Sequence, residues 1–223
     1  MTTRDRLKPK PRIKRMPREV RERQMVDAAV EVFARRGYRT ASMDEIAELA
    51  GASKPLVYLY LNSKEDLFSA CIRREAEALI AAVQAAVDPA APADRRLWNG
   101  LRAFFAHTAA HPDGWAVLHC QARSHGEPFA LEVAALRQRL VDVVTRLIAD
   151  TAQEGGCAVP LPGEEVAGLA HALVGAAESL AGWSNGLTGS GRSDREAAET
   201  LMNLAWAGLG NLTNGRRWAP ARS

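Results

Sequence analysis

Helical periodicity is the dominant pattern along this chain. Apolar residues recur at intervals of three and four in most segments, and no segment alternates apolar and polar residues as a half-buried strand would. The first apolar stripe contains Val26, Ala29 and Phe33. We expect this helix to open near Pro17 and to end at Gly37 in a left-handed cap. The pattern predicts an all-α fold.

Capping residues indicate two short helices after the first. Residues 42–45 read Ser-Met-Asp-Glu, a capping-box sequence that predicts a helix start, and a Gly-Ala-Ser turn follows at 51–53. Ser53 can cap a third helix that tolerates Pro55 in its first turn. Two short helices joined by a glycine-containing turn are typical of a helix-turn-helix, whose second helix lies in the major groove of DNA.

The rest of the chain predicts a helical body. A second capping sequence at 63–66 starts a long fourth helix with Phe68, Cys71 and Leu79 on its buried side. Later helices are expected at about 93–110, 113–123, 127–153, 164–184 and 194–213.

Basic side chains are concentrated at the N-terminus. Residues 1–18 carry a net charge of +7, residues 19–64 carry none, and residues 65–223 carry −4. A solubilising extension would have the same composition, but an arm before a helix-turn-helix can also follow the DNA backbone or enter the minor groove.

This distribution of charge and periodicity divides the chain into four parts. We expect a disordered basic arm (1–18), a helix-turn-helix DNA-binding domain (19–64), a helical regulatory and dimerisation domain (65–215) and a flexible tail (216–223). The arm residues expected to contact DNA are Arg12, Lys14 and Arg15.

Composition argues against several other classes of protein. No apolar run follows the basic N-terminus as in a signal peptide, and none reaches the roughly 18 residues needed to cross a bilayer. Cys71, Cys120 and Cys157 are far apart and odd in number, which fits core residues in a reducing cytoplasm. The sequence has no Ser-His-Asp arrangement, glycine-rich phosphate loop or paired acidic site, so we expect neither an enzyme nor a cofactor.

A pair of histidines is the one candidate for a metal site. His107 and His111 lie four residues apart and could share one helix face. No carboxylate or cysteine stands at ligand spacing beside them, and His111 precedes a proline at a helix end. We therefore expect a histidine that caps a backbone carbonyl and no bound metal.

Several segments agree in register with one known family. They are 28–38 (AAVEVFARRGY), 39–47 (RTASMDEIA), 50–53 (AGAS) and 57–67 (VYLYLNSKEDL). Together they resemble the tetracycline-repressor (TetR) family of transcription regulators. The resemblance covers about residues 20–70 and is highly specific. The remaining two-thirds match only in layout, as helices four to nine of an all-helical regulatory domain.

The resemblance implies roles for the residues of the helix-turn-helix. A phosphate-binding hydroxyl at the start of the second helix falls on Ser42 or Thr40. The other positions implied to face DNA are Ser53, Lys54, Pro55, Leu56, Tyr58, Tyr60 and Lys64. Tyr58 could instead be a core aromatic, and Lys54 an ordinary solvated lysine.

Two residues depart from the family pattern. Leu61 stands where the family usually has Phe, a conservative change on a buried face. Pro55 and Leu56 leave the third helix poor in hydrogen-bonding groups, so base readout would rest on Lys54, Tyr58 and Tyr60 with apolar contacts to thymine methyls. DNA shape and the basic arm would supply the rest of the specificity and affinity.

The last two helices are apolar almost all round. The first of them carries a stripe of small residues, at Gly168, Ala172, Gly175, Ser179 and Gly182, which permits close helix approach. In the resembled family these helices form a four-helix dimer interface. A tightly packed monomer core is the alternative.

The family also holds an effector pocket between helices four and eight. Candidates for its lining are Trp98, Leu101, Phe104, Phe105, Trp115, His119 and Trp183, with Glu178 or Ser179 as polar anchors. Aromatic residues at helical spacing are also common in plain cores, so each of these could be a packing residue.

The sequence therefore predicts a homodimeric cytoplasmic repressor. It would bind a near-palindromic operator and be released by a small apolar or aromatic ligand. The alternative is a structural DNA-binding protein of the same fold that acts with a protein partner and no inducer. A body without a cavity would favour the alternative.

Overall fold

The computed structural model describes residues 17–121, 129–154, 161–185 and 193–216. Within these ranges every regular element is helical, so the predicted all-α fold is confirmed. The helices are α1 (Arg18–Arg36), α2 (Met43–Leu49), α3 (Lys54–Leu61), α4 (Lys64–Ala86), α5 (Ala93–Ala110), α6 (Pro112–Ala116), α7 (Phe129–Glu154), α8 (Gly163–Ser184) and α9 (Asp194–Thr213).

Helix α1 follows the prediction at both ends, with one correction. Pro17 is the N-cap, and its fixed φ suits a helix start. Gly37 ends the helix and donates its N–H to Phe33 O at 2.9 Å. Its φ is +79° but its ψ is 157°, so the prediction of a left-handed helical cap is wrong. The glycine instead takes an extended conformation with positive φ, which residues with a Cβ rarely adopt.

The capping box expected at 42–45 is only half formed. The Ser42 hydroxyl accepts the Asp44 N–H at 3.2 Å, as a cap should. Glu45 does not return to the Ser42 backbone, because its carboxylate pairs with Arg35 at 3.0 Å and Arg36 at 3.4 Å. These ion pairs tie the start of α2 to the end of α1.

The sixth helix is shorter than predicted. A single helix over 113–123 was expected, but α6 ends at Ala116 and a π-helical turn covers Val117–Gln121. Val117 and Leu118 are buried in that turn. A π turn changes the rotation per residue, and the apolar periodicity of the sequence does not predict such a change.

An aromatic cluster joins the helix-turn-helix to the body. Phe68 on α4 packs with centroid distances of 4.8 Å against Phe33 on α1, Tyr38 after it, and Phe129 at the start of α7. Phe33 and Phe68 are fully buried. The short helices α2 and α3 complete this core with Ile46, Val57 and Leu61, all buried.

The rest of the core lies between α4, α5, α7, α8 and α9. Phe105, Val141 and Ile148 are almost completely buried there. Cys71 on α4 is also fully buried and faces α1, with its Sγ 3.9 Å from Val26 O. Burial raises the pKa of the Cys71 thiol, which keeps it protonated and confirms its prediction as a small core residue. Cys157 and the side chain of Cys120 lie outside the part of the chain that the structure describes.

Candidate DNA-binding surface and effector cavity

Helix α3 presents one continuous exposed face. Its buried side carries Val57 and Leu61, four residues apart. Lys54, Pro55, Tyr58, Leu59 and Asn62 are exposed. The helical period places Pro55, Leu59 and Asn62 on the side opposite to the core, whereas Tyr58 lies on the flank and Lys54 is exposed at the first residue of the helix. Tyr58 is 39% exposed, so it is not a core aromatic.

Leu59 is a member of this face that was not predicted. It is 72% exposed, an unusual position for a leucine. The sequence signal for this is its spacing: Leu59 lies two residues from Val57 and two from Leu61, and residues two apart in a helix point to different sides. The predicted contacts Leu56 and Tyr60 are only half-buried and lie at the edges of the face.

Lys54 is paired with an acidic residue of the neighbouring helix. Its ammonium group donates to Asp44 Oδ2 at 2.9 Å, and both side chains are exposed. This hydrogen bond and the nearby charge raise the pKa of Lys54. The Asp44 carboxylate thus holds Lys54 in place, but its negative charge would repel DNA phosphates.

Replacing Asp44 with asparagine should strengthen binding to DNA of any sequence. The change frees Lys54 and removes one negative charge, which we expect to lower Kd about two- to fivefold at low salt. The measurement is a fluorescence-anisotropy titration with random-sequence duplex at several salt concentrations. Asp142→Asn makes the same charge change on an exposed part of α7 and serves as the control. Equal affinities for the two variants would contradict the prediction.

The remaining predicted contacts surround α3. Thr40, Ser42 and Ser53 are exposed, and Ser53 caps α3 through its backbone without a side-chain hydrogen bond. Lys64 is half-buried, and its ammonium group donates to Arg39 O at 3.2 Å and lies 5.0 Å from the Tyr38 ring centroid. Burial lowers the pKa of Lys64.

The start of α1 lies beside the recognition helix. The Arg18 guanidinium is 5.2 Å from the ring centroid of Tyr60, in a cation–π geometry. The chain segment before Arg18 therefore leaves the folded part next to α3. The predicted arm contacts Arg12, Lys14 and Arg15 lie outside the described residues.

A cavity of about 270 Å³ lies between α4, α5, α6, the π turn, α7 and α8. Most of its wall is apolar. The lining residues are Ala76, Leu79, Ile80, Phe104, Trp115, Leu118, His119, Ala130, Val133, Ala134, Arg137, Leu140 and Glu178. The Trp115 and His119 rings stack in this wall, 4.9 Å between centroids and 12° from parallel.

Four of the predicted pocket residues line this cavity: Phe104, Trp115, His119 and Glu178. Leu101 instead lines an adjacent space of about 30 Å³ that it shares with Phe104.

The other four predicted pocket residues lie elsewhere. Phe105 is buried in the core, and Trp98 is half-buried with the Arg102 guanidinium 5.8 Å from its ring. Ser179 and Trp183 are exposed on α8, because they lie on the side opposite to the helix face that carries Ala170, Val174 and Ala181 into the core. None of these four residues lines the cavity.

Arg137 is the charged lining residue that the sequence did not predict. Its Nε donates to both carboxylate oxygens of Glu178, each at 3.0 Å. A sequence signal for it exists, since Arg137 lies four residues after Val133 and three before Leu140 on the same apolar stripe of α7. An arginine inside such a stripe indicates a buried or cavity-lining charge.

The small-residue stripe of α8 divides between two environments. A Cβ added at Gly175 would lie 3.5 Å from Arg137 Nη2, and one at Gly182 would lie 3.2 Å from His119 Nε2, so these two glycines face the side chains around the cavity. Gly168, Ala172 and Ser179 are exposed. The role of the stripe in close helix approach at a dimer interface stays a prediction.

The outer side of α8 and α9 is an exposed apolar surface. Trp183 is 50% exposed and Leu204 is 69% exposed. Gly168 on α8 and Gly208 on α9 are also exposed, and an added Cβ at either would meet no atom within 4 Å.

A chain of close contacts connects the cavity wall to α1. Trp115 lines the cavity, and its neighbour Gly114 lies against the buried Glu75, so that a Cβ there would overlap Oε2 and approach Cδ to 2.9 Å. Glu75 Oε1 accepts from Arg74 Nε at 2.9 Å and Nη2 at 2.6 Å. Arg74 Nη1 donates to Asp27 on α1 at 2.6 Å.

The histidine pair forms a helix end. His111 Nδ1 lies 3.0 Å from His107 O, and the two rings stack 4.3 Å apart, so the predicted carbonyl-capping histidine is confirmed. Burial and the neighbouring His111 lower the pKa of His107. Among the residues described by the structure, no three His, Cys, Asp or Glu side chains are grouped as metal ligands.

Sequence profiles of known families match both parts of the chain. Residues 25–71 match the bacterial regulatory proteins of the tetR family, and residues 93–208 match the tetracyclin repressor-like C-terminal domain. The chain belongs to the TetR family. It is therefore a transcription regulator and not an enzyme.

Individual relatives agree with this assignment. The TetR-family chain is 30% identical over 204 residues to the HTH-type transcriptional activator FasR of Mycolicibacterium smegmatis, covering 89% of this chain and 87% of that protein. A TetR-like transcriptional regulator from Rhodococcus sp. RHA1 has 37% identity and a TM-score of 0.74, over 88% of this chain and 99% of that one. Bacillus subtilis FadR, solved in complex with stearoyl-CoA, shares the fold with 20% identity and a TM-score of 0.68, over 86% of this chain and 98% of that one.

In the part of this TetR-family regulator that the structure describes, no helix combines the length and the apolar composition that crossing a bilayer requires.

Proposed function

We propose that this regulator is a homodimeric repressor that binds a near-palindromic operator and leaves it when a small, largely apolar molecule fills the cavity. The observation that carries this proposal is the combination of an exposed α3 face with a mostly apolar cavity in one chain. The cavity favours a ligand-responsive regulator over a structural DNA-binding protein without an inducer. The cytoplasm, where bacterial DNA lies, is its proposed location.

The basic arm is proposed to supply affinity and α3 to supply sequence recognition. The helix-turn-helix region 19–64 has no net charge, whereas residues 1–18 carry +7. The contact between Arg18 and Tyr60 starts the arm beside α3, where it can follow the DNA backbone. Lys54, Tyr58 and Leu59 are placed to meet base edges, Leu59 through thymine methyl groups.

Release is proposed to run from the cavity wall to α1. A ligand that displaces Trp115 would move Gly114, which has no space between it and the Glu75 carboxylate. Glu75 is bonded to Arg74, and Arg74 to Asp27 on α1, so the displacement reaches the helix that supports α2 and α3.

The effector is proposed to be apolar or aromatic, with an acyl chain as the first candidate. The cavity wall contains aliphatic side chains together with the Phe104 and Trp115 rings. The names of two similar proteins point to lipids, since one structure holds stearoyl-CoA and another is a fatty acid degradation regulator. One similar protein is named a transcriptional activator, so members of this family act in both senses. We propose repression for this chain, because a regulator bound to an operator that overlaps a promoter blocks transcription until it is released.

The test is selection of bound fragments from the source genome by the purified protein. The proposal predicts enrichment of a near-palindrome with half-sites one helical turn apart, about 34–36 Å between centres. Enrichment of no sequence over the input would overturn it, and would favour the structural DNA-binding protein.

The dimer is proposed to form through the outer side of α8 and α9. Leu204→Glu should weaken the dimer roughly 100-fold, because two-fold symmetry brings both new carboxylates into an apolar surface. The measurement is sedimentation equilibrium of the variant and the wild-type chain. Leu131→Glu changes another exposed leucine (59%), on α7, and serves as the control. Equal masses for the two variants, or a monomeric wild-type chain, would contradict the proposed interface.

A further inference from the structure

An ion pair, Arg137 with Glu178, lies in the mostly apolar wall of the cavity. Among the described lining residues, Arg137 and Glu178 carry the only full charges, and His119 is the only other titratable group. The side chains are 29% and 17% exposed, so the pair is largely shielded from solvent. A charge in such a place is costly unless it is paired, which explains why each residue needs a partner.

The geometry of this pair leaves the end of the guanidinium uncommitted. A single N–H, that of Nε, is shared between the two oxygens of Glu178 at 3.0 Å each. The two-pronged arrangement, in which two guanidinium nitrogens each face one oxygen, is not formed. Within the described ranges, neither Nη1 nor Nη2 of Arg137 donates a hydrogen bond to the protein.

The free nitrogens form the part of arginine that recognises acids. Two parallel N–H groups in a plane match the two oxygens of a carboxylate, and hydrogen bonds of this kind are about twice as strong as neutral ones. Gly175 on α8 lies beside Nη2 and offers no side chain to occupy it. Glu178 acts as a positioning residue, since it fixes Nε and so the plane of the guanidinium.

We infer that the effector is an anionic amphiphile, whose carboxylate is bound by Arg137 Nη1 and Nη2 and whose apolar body lies against Phe104, Trp115 and Leu140. This inference rests on the effector role proposed for the cavity and specifies the chemistry of the ligand. It separates a free acid from its coenzyme A thioester, which has no carboxylate at the acyl end.

The test compares three ligands that share one acyl chain: decanoate, 1-decanol and decanoyl-coenzyme A. Binding to the full-length protein is measured by isothermal titration calorimetry at neutral pH. We expect decanoate to bind about 10- to 100-fold more tightly than decanol, the range for a hydrogen-bonded charge. In Arg137→Gln this preference should fall to near onefold, with decanol affinity unchanged.

Two further variants separate the role of Arg137 Nη1 and Nη2 from the general effect of a positive charge on α7. Arg139→Gln removes an exposed arginine two residues along α7 and should keep the full preference for decanoate. Arg137→Lys keeps the charge but loses the planar pair of donors, and should retain only part of the preference. Unchanged melting temperatures of the ligand-free variants, within a few degrees, show that each one folds.

Several results would overturn the inference. Equal affinity for decanoate and decanol in the wild-type chain, tighter binding of the alcohol or of the thioester, or a preference that survives in Arg137→Gln would each do so. Failure of all three ligands to bind would overturn the inference and the effector role of the cavity together. None of these results changes which DNA fragments the protein selects, so the proposal about DNA binding is tested separately.

Discussion

Phe68→Ala is expected to lower the free energy of unfolding by about 3–5 kcal/mol, the largest stability loss we predict. Phe68 is fully buried and touches three aromatic rings, those of Phe33, Tyr38 and Phe129. These rings come from α1, the segment after it and α7. The cavity left by alanine would therefore loosen the connection between the helix-turn-helix and the body.

Urea denaturation at a fixed protein concentration measures this loss, because the stability of a dimer depends on concentration. Leu59→Ala is the control, since it truncates a 72% exposed apolar residue and should change the free energy of unfolding by less than about 0.5 kcal/mol. A loss below about 1 kcal/mol for Phe68→Ala would show that the cluster does not hold the two parts together.

The double variant Lys54→Ala, Tyr58→Ala should lose about 100-fold or more in affinity for the selected operator. Both side chains lie on the exposed face of α3, and each good contact to a base edge contributes about 1–3 kcal/mol to discrimination. Affinity for a scrambled duplex should fall much less, because the basic arm is intact.

Anisotropy titrations with the operator and with the scrambled duplex measure both affinities at one salt concentration. Arg146→Ala removes an exposed cation on α7 and should change neither of them. An equal loss on the two duplexes would mean that Lys54 and Tyr58 contact phosphates and do not read sequence.

Most helix boundaries follow from features that are local in sequence. The caps Pro17 and Ser63 and the glycine at 37 act on their nearest neighbours, so the helices they bound are where the sequence predicts them. The π turn after Ala116 and the conformation of Gly37 depend on how the chain packs, and the sequence does not encode them in any local pattern. Glu45 likewise left its predicted cap because Arg35 and Arg36 lie close in space.

The site was harder to predict for the body than for the DNA-binding surface. On α3, Val57 and Leu61 define the buried side, so the helical period places Pro55, Leu59 and Asn62 opposite to it. Lys54 is exposed at the first residue of the helix, which the period does not show. On α8 almost every residue is apolar, and the period cannot tell the cavity side from the outer side. Trp183 was therefore assigned to the pocket although it lies outside, and Arg137 was missed because its partner Glu178 is 41 residues away in the chain.

A hydroxyl-radical footprint of the wild-type protein on its selected operator tests the central claim most directly. A dimer that reads DNA with two copies of α3 should protect two half-sites with centres about 34–36 Å apart, related by a dyad in the sequence. Protection of a single half-site, or uniform protection without a dyad, would contradict this account of how the regulator recognises DNA.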